Sequence, residues 1–456
     1  MLTASFRADG SSKFRTGNKW SYFPSAALGW SLGEEKWIKD LNVFSNAKLR
    51  VSHGITGNNR VSDFAYLSSI IMPAGVAYSF NNQLVNAAIP SELGNPDLKW
   101  ETTRQTDLGL DIGFFKQRLS LEIDAYRKTT FDLLLNAKLP TIMGYGSSLK
   151  NIGKVQNQGL EFTVNSVNLD KKNSLTWNTS FNISFNRNKV LELAENQEAL
   201  GSFLNWDGNY RNLPLYIARV GEPIAMFYGY IWEGNYQYTD FNGSSSGVYT
   251  LKNTVADNGS GRDQVKPGDI KYRDINGDLT INAQDQVVIG DPNPDFIGGI
   301  TNNFGYKGFD LNVFFQFSVG SDVYNANRLI FEGSGRPQQN MFATYIDRWT
   351  PENQNNTYYR SGGFGPHSYS SRVVEDGSFI RLKTVQLGYN FPKELTSKIR
   401  LKNIRAYVSG QNLYTWSKYQ GFDPEVSSRN SALTPAFDYS VYPRARTVTF
   451  GLNVTL

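Results

Sequence analysis

Apolar and polar side chains alternate strictly along strand-length stretches of this chain. Val448, Phe450, Leu452, Val454 and Leu456 are interleaved with Thr447, Thr449, Gly451, Asn453 and Thr455. Phe309, Leu311, Val313, Phe315, Phe317 and Val319 alternate with mostly small or polar residues. Leu175, Trp177, Thr179, Phe181, Ile183 and Phe185 are set against Thr176, Asn178, Ser180, Asn182, Ser184 and Asn186. A period of two places each set on one face of a sheet, one greasy and aromatic, the other small and hydrogen-bonding.

Read along the whole chain, the pattern predicts about twelve strands. They fall at 2–9, 20–32, 47–56, 100–115, 118–135, 156–167, 174–187, 296–307, 309–319, 378–391, 403–412 and 446–456. Tight turns at 116–117, 168–173 and 308 alternate with long connections at about 57–99, 188–295, 320–377 and 413–445. A membrane barrel with short periplasmic turns and longer extracellular loops requires this order, whereas a soluble sandwich has no reason to gather its long loops at one end. The expected fold is all-β, an antiparallel transmembrane β-barrel portion with apolar residues towards lipid and the Asn/Thr/Ser/Gly face towards the lumen. Both termini are expected on the periplasmic side. Trp20, Trp30, Trp100 and Trp177 lie near predicted strand ends, where indole rings suit the membrane interface.

Composition narrows the chemistry. The 456 residues include no Cys, which excludes disulfides, thiol catalysis and Cys-ligated metals. With two histidines, His53 and His367, a multi-His metal site is not expected. The net charge of +5 is small and scattered, giving nucleic-acid binding little support. No apolar run approaches the ~20 residues of a membrane helix, which leaves a barrel open because its strands are only half apolar. The first residues have no basic start, apolar core or cleavage site, so no secretion signal is read there.

One segment resembles a calcium loop, with oxygen donors at Asp274, Asn276, Asp278, Asn282 and Asp285 and a carbonyl at Thr280. It departs from the pattern at Leu279, where a turn-making Gly is usual, and at Asp285, where a longer Glu is usual. The alternative is a set of Asx turns bonding their own backbone. No cofactor is required, and the ion such a loop would take is a structural calcium. His53, in phase with Leu49 and Val51, reads as a strand position near one rim. Asp107, Asp111, Glu122, Asp124 and Glu161 share the lumen phase and either line a substrate path or form charge ladders with Arg and Lys. Trp206, Tyr210, Tyr228, Tyr230, Trp232, Tyr236 and Tyr238 crowd one long loop, for ligand stacking or for loop packing. An enzyme is not expected; an outer-membrane barrel hydrolase is the remote alternative.

Several short motifs recur in a telling order: Arg7-Ala8-Asp9-Gly10-Ser11-Ser12-Lys13-Phe14, Phe23-Pro24-Ser25 before Gly29-Trp30, Leu49-Arg50-Val51-Ser52-His53-Gly54 with Gly57-Asn58, and Asn95-Pro96-Asp97-Leu98-Lys99-Trp100-Glu101. Asn157-Gln158-Gly159-Leu160-Glu161, Pro267-Gly268-Asp269-Ile270-Lys271-Tyr272 and Arg348-Trp349-Thr350-Pro351-Glu352 follow. Ser378-Phe379-Ile380-Arg381-Leu382-Lys383 with Gly388-Tyr389, Gln411-Asn412-Leu413, Gly421-Phe422-Asp423-Pro424-Glu425 and Tyr442-Pro443-Arg444 complete them. Together they resemble the SusC/RagA-like TonB-dependent transporters of Bacteroidota, nearly end to end.

The resemblance implies an outer-membrane location, a 22-stranded barrel with an N-terminal plug, and a SusD-like surface lipoprotein over the extracellular loops. It also implies import of oligosaccharide or oligopeptide cargo driven by TonB through the plug. Residues 1–456 would then be the C-terminal part of one barrel domain, its last twelve strands. The plug, TonB-contact segment and earlier strands are expected outside this chain, as in a truncated gene product. A passive porin is the alternative function.

Overall fold

The computed structural model describes all residues except 74, 139–144, 146, 171–174, 194–196, 244–247, 334–335, 337 and 429–430. Twelve long strands form one antiparallel sheet in which each strand pairs with its neighbours in sequence. They are β1 (Leu2–Gly10), β2 (Trp20–Trp30), β3 (Phe44–Asn58), β4 (Glu101–Phe114), β5 (Leu119–Phe131) and β6 (Lys154–Asp170). β7 (Leu175–Glu192), β8 (Phe296–Tyr306), β9 (Phe309–Val319), β10 (Phe379–Asn390), β11 (Asn403–Ser417) and β12 (Thr447–Thr455) complete the sheet. Each predicted strand is found.

The boundaries differ where backbone chemistry intervenes. β5 stops at Phe131 rather than 135 because Asp132 turns the chain with a φ of 57°. Leu134–Lys138 then pairs with Ser147–Asn151 as a separate hairpin. β11 runs past 412 to Ser417, with Asn412 in the left-handed region at φ 52° and a register shift in the β10 partner between Leu382 and Thr384. Lys307 and Gly308, at φ 46° and 89°, close the β8–β9 hairpin in two residues, a twist that suits flanking strands. Of the predicted 168–173 turn, 168–170 belong to β6, and 171–173 lie outside the described residues.

The chain divides into two compact units. The first comprises Met1–Asn168, Asn178–Ala199 and Arg219–Glu222. Its buried apolar cluster is Phe14, Phe23, Val61, Leu98 and Trp100. Trp100, expected at the membrane interface, is instead 8% exposed. Its ring packs on Phe14 and Phe23, and its indole N–H donates to the Lys19 carbonyl at 3.0 Å. Trp20 and Trp30, at the two ends of β2, remain 64% and 46% exposed as interfacial rings should.

The second unit comprises Leu169–Trp177, Leu200–Ala218 and Pro223–Leu456. Stretches predicted only as loops carry their own structure here. Asp322–Asn325 lies between Val374–Asp376, antiparallel, and Phe437–Asp438, parallel. Trp232–Asn235 pairs with Ile270–Tyr272. Their core is aromatic: Tyr210, Tyr216, Phe227, Tyr324, Tyr369 and Phe437 are all buried.

Candidate functional site

The lumen phase of the sheet holds the predicted carboxylates, and most are tied down. Arg50 donates from Nε and Nη2 to Asp111 at 2.7–3.0 Å and from Nη2 to Asp124 at 3.2 Å. Gly109 stands in register between Arg50 and Asp124. A Cβ there would lie 2.5 Å from the Asp124 carboxylate and 2.6 Å from the Arg50 guanidinium, so the glycine makes room for the bridge. Gly388 repeats the device between Asp310 and Arg405, where a Cβ would meet both side chains within 2.6 Å. Asp107 accepts from Ser52 and Gln105, and Glu161 from Ser184, while Glu122 stands exposed. Of the five predicted carboxylates, Asp111 and Asp124 thus form a charge ladder with Arg50. His53, paired across to Thr106, shares an Nδ1–Oγ1 hydrogen bond of 2.8 Å with it, as a rim strand position allows.

The loop aromatics pack against each other. Trp206 stacks on Tyr210 at 5.2 Å and donates its indole N–H to the Tyr369 hydroxyl at 2.9 Å. Tyr236 is fully buried and donates to the Ala256 carbonyl. Tyr230 stacks on Tyr272, and Tyr238 packs on Tyr249 and Trp349. Burial pushes the Tyr210 and Tyr324 phenols far above their ordinary range and Tyr369 up to about 12, so all three remain protonated. His367, stacked on Phe364, is shifted the other way: burial, then the nearby Arg336 charge, lowers its pKa.

Beneath these rings lies a buried ionic network that the sequence reading did not find. Arg372, with a 1% exposed side chain, donates to Glu332 at 2.6 Å. Arg328 bridges Glu332 and Glu375 at 3.0 and 3.1 Å. Beside it is a cavity of about 380 Å³ lined by Phe331, Phe342, Phe422, Asn327, Gln420 and Thr344 among others. The Thr344 hydroxyl is buried there with no hydrogen-bond partner among the described residues.

In the 274–285 loop, the side-chain oxygens accept from the loop's own N–H groups. Asp274 takes Gly277 and Leu279, Asn276 takes Asp278, Asp278 takes Thr280, and Asn282 takes Gln284. The fully buried Asp285 takes Ile275 and Asn282. Among the described residues no three His, Asp or Glu side chains converge as a metal site.

The short motifs meet in space. Arg381 is 1% exposed; it donates to Asp423, to Glu425 at 3.0 Å and to Thr415, while Arg444 reaches Glu425 at 3.1 Å. Three motifs far apart in sequence thus form one ion cluster. Phe14, Phe23, Leu98 and Trp100 unite three others in the first unit's core. Gly268 leaves no room for a Cβ beside Trp349, and Arg360 pairs with Asp269 at 2.7 Å, joining two more.

Comparison with known proteins gives these motifs a context. The family described as TonB dependent receptor-like, beta-barrel matches residues 1–267. TonB-dependent receptor P3 of Formosa agariphila is 38% identical over all of this chain and 44% of its own length. TonB-dependent receptor SusC of Bacteroides thetaiotaomicron is 31% identical over all of this chain and 42% of its own. The RagAB peptide importer in the "closed-closed" state superposes with a TM-score of 0.78 at 25% identity, covering 100% of this chain and 46% of that one. In the "open-open" state the TM-score is 0.77. The chain spans less than half the length of the curated relatives it matches. With its inside-out sheet, its motif clusters and these likenesses, the chain belongs to the TonB-dependent receptor family of outer-membrane β-barrels, in its SusC/RagA-like branch.

Proposed function

We propose that the protein of which this chain is part imports oligosaccharides or oligopeptides across the outer membrane, energised through TonB. The observation that carries this is the likeness to receptors over the full chain, motif cluster by motif cluster. In this reading the long connections are extracellular and a SusD-like lipoprotein covers them. The aromatic body at 199–295, 320–377 and 418–446 supports it: a folded surface, and not a set of floppy loops, is what a lipoprotein lid and a cargo can dock on. The lumen ladder gives the sheet a stiff polar wall along which a hydrated cargo can pass. The named relatives are receptors, and none of the residues described here is assigned a catalytic role.

The test is uptake of labelled oligosaccharide and oligopeptide pools by cells carrying the intact receptor, with and without TonB. TonB-dependent accumulation of one pool supports the proposal. Equal entry without TonB, with steady conductance in planar bilayers, would establish the porin instead. Calcium would act in this scheme only as a clamp on the 274–285 loop, whose carboxylates its backbone already orients. An unchanged rate of proteolysis within that loop on calcium titration would remove the ion from the scheme.

A further inference from the structure

The outward face of β3–β6 changes character along its length, and the strand register shows where. Ala47, Ile112, Leu121 and Val164 form one cross-strand row, Leu49, Leu110, Ile123 and Phe162 the next, and Val51, Leu108, Ala125 and Leu160 the third. The fourth row is His53, Thr106, Arg127 and Gln158, and the fifth contains Arg104, Thr129 and Gln156. The sixth contains Phe131 and Lys154. From Phe114 to Arg104 the strand climbs ~34 Å at ~3.4 Å per residue, or roughly 26 Å of height at a tilt near 40°. That is about the height of a barrel's apolar band, so the cations begin where the headgroups begin.

The two arginines are not neutralised by the sheet, whereas Lys154 is paired with Glu192 of β7. Arg104 and Arg127 are exposed and form no ion pair among the described residues; Arg127 donates only to the Gln156 carbonyl oxygen. Arg104 and Lys154 both sit over the Phe131 ring, at 4.9 and 5.2 Å from its centroid. Lys189, two residues beyond Arg187 on the apolar phase of β7, is exposed as well. Beside Arg104 and Lys154 is a cavity of about 460 Å³, also lined by Asn151 and Thr102. The carboxylates at its edge are already paired: Asp132 with Lys99 at 3.1 Å and Glu192 with Lys154 at 3.2 Å.

We infer that Arg104, Arg127 and Lys189 form a docking site for a phosphate-bearing glycolipid headgroup of the outer leaflet. The acyl chains would lie on the Val51–Leu108–Leu160 rows below, and the phosphates would take the unpaired guanidinium groups, which suit them by fork geometry. Two guanidinium groups and an ammonium at headgroup height fit an anionic lipid and disfavour a second, equally cationic copy of the same face. The inference rests on the outer-membrane, loops-outward placement and does not require import.

The experiment uses the intact receptor in detergent, incubated with purified bis-phosphorylated lipid A and read by native mass spectrometry. Retained lipid A is expected for the wild type. Removing one cation in Arg104→Gln should weaken binding roughly fivefold, and the combined Arg104→Gln/Arg127→Gln/Lys189→Gln variant on the order of 100-fold. Lys128→Gln, on the lumen phase opposite Asn157, should leave binding unchanged. The heat-dependent gel shift of a folded barrel confirms that each variant is assembled. Equal retention of dephosphorylated lipid A, or of lipid A by the triple variant, overturns the site. So does a cross-link from position 104 to a second receptor copy. Import is not part of the readout, so failure of the transport proposal and failure of this one are separable.

Discussion

The strands and the loops of this chain obey opposite rules. Along β12, Phe450 and Leu452 are 81% and 65% exposed, while in the loops Tyr324 and Phe437 are 0% exposed. In the strands, the polar face holds exposed or half-exposed bridges such as Arg50–Asp111; in the loops, Arg372 and Glu332 are sealed from solvent. A sheet that turns its largest apolar side chains outward is made for lipid, and a loop body with a sealed aromatic core is made for water. One chain therefore answers to two solvents, and each region can be broken by a change that the other would tolerate.

The largest effect is expected in the loops. Glu332→Ala would leave Arg372 and Arg328 charged and underpaired in a buried site, at a cost of about 3–5 kcal/mol. Proteolysis and hydrogen exchange should open the body at 320–377 while the barrel's gel shift persists. Replacing Glu332 and Arg372 together with Met should recover most of that protection; if it does not, the network is held by something besides charge pairing. The strand counterpart is Leu108→Arg. Leu108 is 50% exposed between Val51 and Ala125, and a charge near the bilayer midplane costs about 2–4 kcal/mol. A water-facing Leu would change by less than about 0.5 kcal/mol, so unfolding in vesicles decides which solvent that face meets.

How much of this was legible differs between the same two regions. Period-two alternation located each long strand, because the membrane enforces one face and the lumen the other. The loop body escaped because its strands are two to six residues long, as at Phe437–Asp438 and Pro214–Arg219, too short for a period to register. Its ion network joins Arg328 and Glu332 to Arg372 and Glu375 across a gap in sequence that no local pattern spans. The motifs were visible as residues but not as partners: nothing in the local sequence says that Arg381 meets Asp423 and Glu425. Gly109, between Asp107 and Asp111 on the lumen phase, was the readable hint that a long side chain crosses there.

Acidity should separate the regions more gently. The lowered pKa of His367 means the folded loop body prefers the neutral ring. Its contribution is therefore full above the ordinary value near 6.5 and is lost as pH falls through the depressed folded value. Tyr369 has the opposite sign: raised to about 12, it contributes below pH ~10 and is lost as pH climbs through 12. Loop protection followed by hydrogen exchange should decline on mild acidification, and His367→Phe, which keeps the ring on Phe364, should flatten the acid limb. An unchanged limb would assign the acid sensitivity to other groups.

The smallest effect tests the acidic loop. Leu279 holds a φ of 65°, a left-handed backbone that costs a side chain about 1 kcal/mol or more, and its N–H is fixed by Asp274 at 2.8 Å. Leu279 is also the position at which the sequence departs from the usual turn-making glycine. Leu279→Gly should remove that strain, offset in part by the greater freedom of glycine in the unfolded chain, for a net gain of about 0.5 kcal/mol. Slower proteolysis between 274 and 285, with no change in the strands, is the expected result. Faster cleavage would mean that packing of the Leu279 side chain outweighs its backbone strain, and that the loop is held by its apolar contacts as much as by its Asx turns.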